Sequence, residues 1–415
     1  MRNQSHQQPV IKTANEKGAS MSSALSKLTI PLLGFLVAFG PLSIDMYLPS
    51  LPTIAKSLNS SDQLIQTTIT VFLLGMAIGM LIFGPLSDMM GRKRLLLIGI
   101  GFYFISSIGC ALASTGESLI LFRFLQSLGG AAAAVLARAL VRDLYELKRA
   151  ANILSHMHVI SMMVMLISPI LGAYIVSYFE WRWIFYFLAL FSTLAFIGSA
   201  LLLPNAVKSS PTVKPSFSHY AKNYIDCLGA PLLVQYVLAN AFSFAGMFAF
   251  IATSAFVYIE YFQLSETYYA LLFSANIFAI IIATLLNSYL SKRYNVGLAL
   301  NVAIGVSFTA TLLIWGMVGL GSTSMVLFVI TTMMYISVTG AIGANSLATL
   351  FEQLPEKAGT VSGLLVATQF AVGGFISYLA SLIFDGSPNS LLIMMACCGT
   401  LCTIFYLSTR INKVI

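Results

Sequence analysis

Two charged residues lie where charge is costly. Asp45 sits in Ser43-Ile44-Asp45-Met46-Tyr47-Leu48-Pro49, and Arg123 sits in Leu121-Phe122-Arg123-Phe124-Leu125. Each interrupts a long apolar run. Charges inside such runs are functional candidates by default, because keeping them there is expensive. A carboxylate withdrawn from water holds its proton more tightly, whereas a nearby guanidinium draws the proton off. A carboxyl group pulled both ways can load and release a proton near neutral pH. The competing reading is a structural ion pair with no proton traffic. Gln126 and Asn240 offer neutral hydrogen-bonding groups for the same cavity, and Tyr47 adds a phenol beside Asp45.

The elements that must position these groups follow from composition. Hydrophobic residues make up 58% of the 415-residue chain and charged residues 9%, with mean hydropathy +0.88. A soluble globular chain carries roughly 25% charged residues. Apolar runs of about 20 residues recur along the whole length, enough to span a bilayer as helix. They do not alternate apolar and polar as barrel strands do. The chain is therefore an all-α membrane protein, which excludes a soluble enzyme, a nucleic-acid-binding protein and a secreted domain. Cutting at charged or turn-rich breaks predicts twelve transmembrane helices: 28–51, 62–86, 95–114, 118–141, 157–178, 182–203, 231–258, 267–289, 296–319, 323–350, 358–383 and 389–408. The widest gap, 204–230, is rich in Ser, Pro and Lys. It reads as a linker between two six-helix halves, 28–203 and 231–408, with polar tails at 1–27 and 409–415. The first tail lacks the apolar core of a cleaved signal, and Met21 could serve as the start.

Charge placement supports this count. Of the 22 lysines and arginines, nineteen fall on one side if the N-terminus is cytoplasmic; Lys56 and Arg182 fall on the other, and Arg123 lies within a span. Cytoplasmic loops carry such an excess, so both termini are expected inside. The net charge of +8 then reflects membrane topology and the lipid bilayer, not a nucleic-acid partner. Asp45 is about six residues from the outer end of its span and Arg123 about five, or roughly 9 and 8 Å deep. At that shared level they are expected to pair, or to exchange protons through water, if spans 1 and 4 line one cavity.

A second feature is the loop Gly84-Pro85-Leu86-Ser87-Asp88-Met89-Met90-Gly91-Arg92-Lys93-Arg94. Gly91 permits a tight turn. Asp88 is expected to dock on the positive N-terminus of a facing helix; Ala358-Gly359-Thr360 would be that partner, so that Gly84, Asp88, Gly91, Arg92 and Gly359 would form a gate. Arg92-Lys93 aligns with Lys292-Arg293 after span 8, as in a duplicated transporter. Gly75 and Gly79 mark a close helix crossing. Pro169 and Gly172 can bend span 5. Phe242, Phe244, Phe248 and Phe250 of span 7 are candidates to line an apolar cavity, Phe244 and Phe248 foremost. Trp181, Trp183, Tyr258 and Tyr261 fit an outer aromatic belt. His156 and His158 have no carboxylate or Cys partner in view, and the five cysteines show no metal spacing, so no metal is expected.

At these residues the chain resembles the major facilitator superfamily. The Gly84–Arg94 run is similar to its signature between helices 2 and 3. Leu121-Phe122-Arg123-Phe124-Leu125-Gln126-Ser127-Leu128-Gly129 resembles the helix 4 signature, whose Arg is linked to proton coupling. Ser168-Pro169-Ile170-Leu171-Gly172 resembles the helix 5 signature of the antiporters, with Ser168 and Ala173 where glycines are usual. Pro41-Leu42-Ser43-Ile44-Asp45-Met46-Tyr47-Leu48-Pro49-Ser50-Leu51-Pro52, the Phe242–Phe248 stretch and Phe256-Val257-Tyr258-Ile259-Glu260 look like the Bcr/CflA, bicyclomycin-resistance group of drug:proton antiporters. The resemblance implies the major facilitator fold in a bacterial inner membrane. It also implies efflux of small drugs against proton entry by alternating access, with the proton motive force in place of a bound cofactor and the monomer as the working unit. The alternative is an exporter of a native metabolite such as an amino acid, or a proton-coupled uptake transporter. No nucleophile–base pair or nucleotide-binding loop points to an enzyme.

Overall fold

The computed structural model describes residues 28–204, 226–227 and 229–411. The expected tail 1–27 and most of the linker 204–230 lie outside the described residues. Twelve long helices follow: α1 (Leu28–Val37 and Phe39–Ser57), α2 (Asp62–Met90), α3 (Arg92–Ala111), α4 (Gly116–Leu144), α5 (Leu147–Tyr178) and α6 (Arg182–Leu202) in the first half; α7 (Pro231–Tyr261), α8 (Glu266–Arg293), α9 (Val296–Gly319), α10 (Met325–Gln353), α11 (Ala358–Ile383) and α12 (Pro388–Ile411) in the second. The helices overrun the predicted spans by up to ten residues, because polar ends continue as helix beyond the apolar core. Their starts are capped as helix N–H groups require. Ser61, Ser265 and Asn295 accept backbone hydrogen bonds at α2, α8 and α9, and Thr115 and Ser118 form a capping box at α4.

Short connections make the helices alternate in direction. One end of the bundle carries Arg92, Lys93, Arg142, Lys292 and Arg293; we call it the basic face. Large apolar side chains such as Phe102, Ile105, Leu201, Leu285 and Phe308 point outward and are exposed on the protein surface. In a bilayer these surfaces meet lipid, whereas in water they would be an aggregation hazard. Small residues set the crossings inside each half. A Cβ built on Gly75 would fall 1.8 Å from Ser127 Oγ, and one on Gly79 would fall 2.5 Å from Ala131 Cβ. These positions let α2 and α4 approach backbone to backbone.

The halves meet along α2 with α11 and α5 with α8. Three polar contacts tie them on the side away from the basic face. Lys56 pairs with Glu260 at 3.0 Å, Gln63 Nε2 donates to the Phe384 carbonyl at 3.4 Å, and Ser274 Oγ donates to the Leu166 carbonyl at 3.0 Å. Toward the basic face, the end of α2 and the start of α11 enclose a cavity of about 170 Å³. This conformation is closed at the far face.

Two members of the expected aromatic belt are internal. Trp181 is buried and donates its indole N–H to Ser57 Oγ at 3.1 Å, joining the start of α6 to the end of α1. Tyr258 is buried among Phe250, Phe262, Tyr269 and Phe328. A boundary position sets depth only; the side chain's rotation about its helix decides whether it meets lipid. Trp183 and Tyr261 are exposed.

Candidate functional site

Prolines place Asp45. A proline ring clashes with the carbonyl four residues earlier and cannot donate a hydrogen bond to it. Pro41 acts on Val37, and α1 bends by 50° at the next residue. Pro49 acts in the same way on Asp45, where the α-helical turn ends and a 3₁₀ turn, Leu48–Ser50, begins. Asp45 therefore stands at a break in a helix. It is 3% exposed, its Oδ2 has no hydrogen-bond partner on the protein, and it makes no ion pair among the described residues.

The carboxylate lines a cavity of about 170 Å³ between the halves, with Met165, Phe244, Met247, Phe248, Ile251 and Phe370 around it. Phe244, Phe248 and Phe370 form a run of ring contacts, at 6.2 and 5.4 Å between centroids. A smaller cavity beside Asp45 is lined by Phe250, Phe273 and Asn276. Sequence reasoning missed Phe370, Met247 and Asn276. Their signal was weak, since each is one neutral side chain on a long apolar helix.

Arg123 does not join Asp45, contrary to the expected pairing. Its guanidinium is fully buried within the first half. Nη1 donates to the Ser43 carbonyl at 3.1 Å and to Gln126 Oε1 at 2.8 Å. The rings of Tyr47 and Phe72 flank the group at 4.5 and 4.4 Å. Gln126 donates in turn to Ser107 Oγ at 2.8 Å, Tyr47 bonds Thr68 at 3.0 Å, and Ser43 bonds Tyr103 at 2.5 Å. The charge is thus spread over a carbonyl, an amide and two ring faces. Tyr47 and Gln126, expected in the substrate cavity, belong to this internal network. The reason is rotation: at about 100° per residue, Ser43 and Asp45 face nearly opposite ways on α1, and Tyr47 returns to the Ser43 side. What Arg123 grips is the backbone of α1 just before its break.

Asn240 also lies apart from the cavity. It is fully buried with both amide atoms unpartnered, and a Cβ built on Gly343 of α10 would fall 2.8 Å from its Oδ1. α5 continues through Pro169 as one 32-residue helix. Pro169 strips a partner from the Met165 carbonyl, and Ser168 Oγ supplies one at 3.2 Å. Neighbouring hydroxyls commonly repair helices in this way. Gly172 touches the α1 backbone, where a built Cβ would fall 2.0 Å from the Met46 carbonyl oxygen.

The basic-face loop is an internal clamp. Gly91 has φ of +90°, which only glycine adopts without strain, and a single residue thereby separates α2 from α3. Arg92 pairs with Asp88 at 2.9 Å and with Asp143 at the end of α4 at 2.5 Å, and it also donates to Ser87 Oγ. Lys93 donates to the Ala200 and Leu203 carbonyls, capping the C-terminus of α6. Asp88 is held by Arg92, and Gly84 and Gly359, the expected partners of the gate, both line the basic-face cavity. A double-mutant cycle with Arg92→Gln and Asp143→Asn should give a coupling of about 0.5–3 kcal/mol in thermal or denaturant unfolding. Additive effects would show that the clamp holds nothing.

The Major Facilitator Superfamily model matches residues 33–378. The chain is 31% identical to a bicyclomycin resistance protein homolog of Haemophilus influenzae over 92% of this chain and 96% of that one. It is also 31% identical to an uncharacterized MFS-type transporter, YdgK, of Bacillus subtilis, over 85% and 88% of the two chains. The multidrug resistance protein MdtL of Escherichia coli O157:H7 is 32% identical over 54% of this chain and 56% of its own. Among solved structures, a D-xylose-proton symporter superposes with TM-score 0.72 at 18% identity, over 92% of this chain and 96% of the other. A mutant of the nucleoside transporter NupG superposes with TM-score 0.74 at 13% identity, over 92% and 99%. These two share the fold. By full-length sequence similarity and by architecture, the chain belongs to the major facilitator superfamily of transporters, in its bicyclomycin-resistance group.

Proposed function

We propose that the protein is a drug:proton antiporter of the bacterial inner membrane, with both termini and the basic face in the cytoplasm. The observation that carries this reading is Asp45, a buried carboxylate with no ion-pair partner among the described residues, lining an aromatic cavity between the halves. A carboxyl group in such a place is stable when protonated and costly when charged, so water access and ligand occupancy decide its state. The cycle follows. With the far face closed, Asp45 gives its proton to the cytoplasm and an apolar drug settles against Phe244, Phe248 and Phe370. The halves then rock, the drug leaves on the far side, and Asp45 takes a proton there before returning. Arg123 acts through the α1 backbone, holding the Ser43 turn so that Asp45 keeps its place. The monomer is the working unit, the proton motive force supplies the energy with no bound cofactor, and no enzymatic step is involved. The relatives named for bicyclomycin and multidrug resistance support drugs as the substrate class.

The test uses everted membrane vesicles with an acid lumen and a lumenal pH dye. Adding a neutral drug such as chloramphenicol, or a cationic one, should release lumenal protons in proportion to dose. A response to amino acids but to no drug would replace this reading with metabolite export. A response to neither would overturn it.

A further inference from the structure

The mouth of the basic-face cavity holds charges that the transport cycle does not use. Arg138 and Arg142 lie four residues apart on α4, so they share one helix face, and both line this cavity. Across from them are Gly359 and Ser362, in the first turns of α11, with Gly84 and Pro85 of α2 alongside. Neither arginine has a hydrogen bond or ion pair among the described residues. The adjacent carboxylate, Asp143, is taken by Arg92, and no carboxylate is among the lining residues.

Charge bias alone does not explain this placement. Arg94, Lys292 and Arg293 of the same face are exposed at its surface, which is sufficient for topology. Arg138 instead lies six residues back from the end of α4, about 9 Å inside, with its side chain open to the cavity. Two like charges one turn apart repel each other. The positive end of α11 adds to that repulsion. The geometry resolves if an anion completes the site. A Cβ built on Gly84 or Gly359 would meet nothing within 4 Å, so bare backbone borders open space there. Guanidinium forks match the paired oxygens of a carboxylate or phosphate.

We propose that Arg138 and Arg142, with the start of α11, form a binding site for an oxyanion, a carboxylate or phosphate group. The site sits one helical turn from the Asp45 cavity: Met76 and Met80 of α2, and Phe370 and Val366 of α11, belong to the two cavities in turn. A solute with an apolar body against Phe248 and Phe370 would present an acidic end to the arginines. A lipid phosphate entering from the neighbouring leaflet would satisfy the same chemistry. The inference does not depend on transport direction or on proton coupling.

The experiment uses the purified full-length chain. In the first arm, inorganic phosphate and benzoate are titrated while thermal unfolding is followed. In the second, native mass spectrometry counts lipids retained from phosphatidylcholine vesicles with or without phosphatidylglycerol. Arg138→Gln and Arg142→Gln should each raise the half-saturating phosphate or benzoate concentration at least about tenfold, as loss of a charge-assisted hydrogen bond does; Arg94→Gln should leave it unchanged. Loss of retained phosphatidylglycerol in the double variant, with no response to the soluble anions in the unsubstituted protein, would identify the lipid as the ligand. Unchanged behaviour of both glutamine variants in both arms would overturn the site. If those variants do not fold, phenylglyoxal labelling of the unsubstituted protein decides: phosphate or phosphatidylglycerol should protect Arg138 and Arg142 but not Arg94, and equal labelling throughout would overturn the site.

Discussion

Asp45→Asn is expected to reduce drug-driven proton movement to the level of empty vesicles while the protein still folds and binds ligand. The amide has the size of the carboxyl group and keeps its hydrogen-bonding capacity, but it cannot carry a proton. Asp45 is 3% exposed with one oxygen unpartnered by protein, so the neutral amide removes a buried charge at little cost to stability. The variant therefore separates proton carriage from packing. Drug binding, measured by displacement of a fluorescent ligand, should persist; counterflow of labelled drug without a pH gradient should also survive, because it needs no proton turnover. Asp45→Glu, one methylene longer, should keep part of the coupled activity. Wild-type proton release from Asp45→Asn would place the carrier elsewhere.

Gly172→Ala is expected to be the most damaging single methyl group in the molecule near the site. The added carbon would lie 2.0 Å from the Met46 carbonyl oxygen and 2.8 Å from its carbon, and both atoms are backbone. No side chain can swing away, so α1 must shift at its break, one residue past Asp45. Overpacking costs typically about 1–3 kcal/mol, and more where backbone must move. A lower unfolding temperature and loss of transport should appear together. Gly101→Ala provides the contrast: it lies inside α3, where nothing beyond its chain neighbours comes within 4 Å of the built carbon. There the methyl group should raise stability by up to about 1 kcal/mol through helix propensity. Equal effects of the two substitutions would show that the α1–α5 crossing does not limit the fold.

What was legible in the sequence shares a physical origin. The membrane class and the twelve helices follow from summed hydropathy, which needs no knowledge of neighbours. The one-residue turn at Gly91 follows from local sterics; the breaks in α1 were not read, although Pro41 and Pro49 each act on the carbonyl four residues before them. The depth of Asp45 and Arg123 was also accessible, since rise per residue is constant. Their relation was not. The two residues share a level, yet α1 lies between them: Arg123 binds the Ser43 carbonyl on one side and Asp45 faces the second half on the other. Helical rotation already separates Asp45 from Ser43 and Tyr47, but which of those faces meets α4 depends on how the bundle is assembled.

The same limit applies to the basic loop and to α5. Asp88, Arg92 and Lys93 advertise charge, and only the fold shows that Arg92 spans to Asp143 and Lys93 to the end of α6, 51 and more than 100 residues away along the chain. Pro169 strips the Met165 carbonyl of its helical partner, and only the fold shows that the adjacent Ser168 hydroxyl replaces it. By itself the sequence determined that this chain crosses a membrane twelve times with a lone acid in its first span, because burial in lipid is imposed by each segment's own composition. The tertiary structure alone decided which side chains meet, where the cavity runs and which face is closed, because those depend on helix rotation and on contacts between residues far apart in the chain.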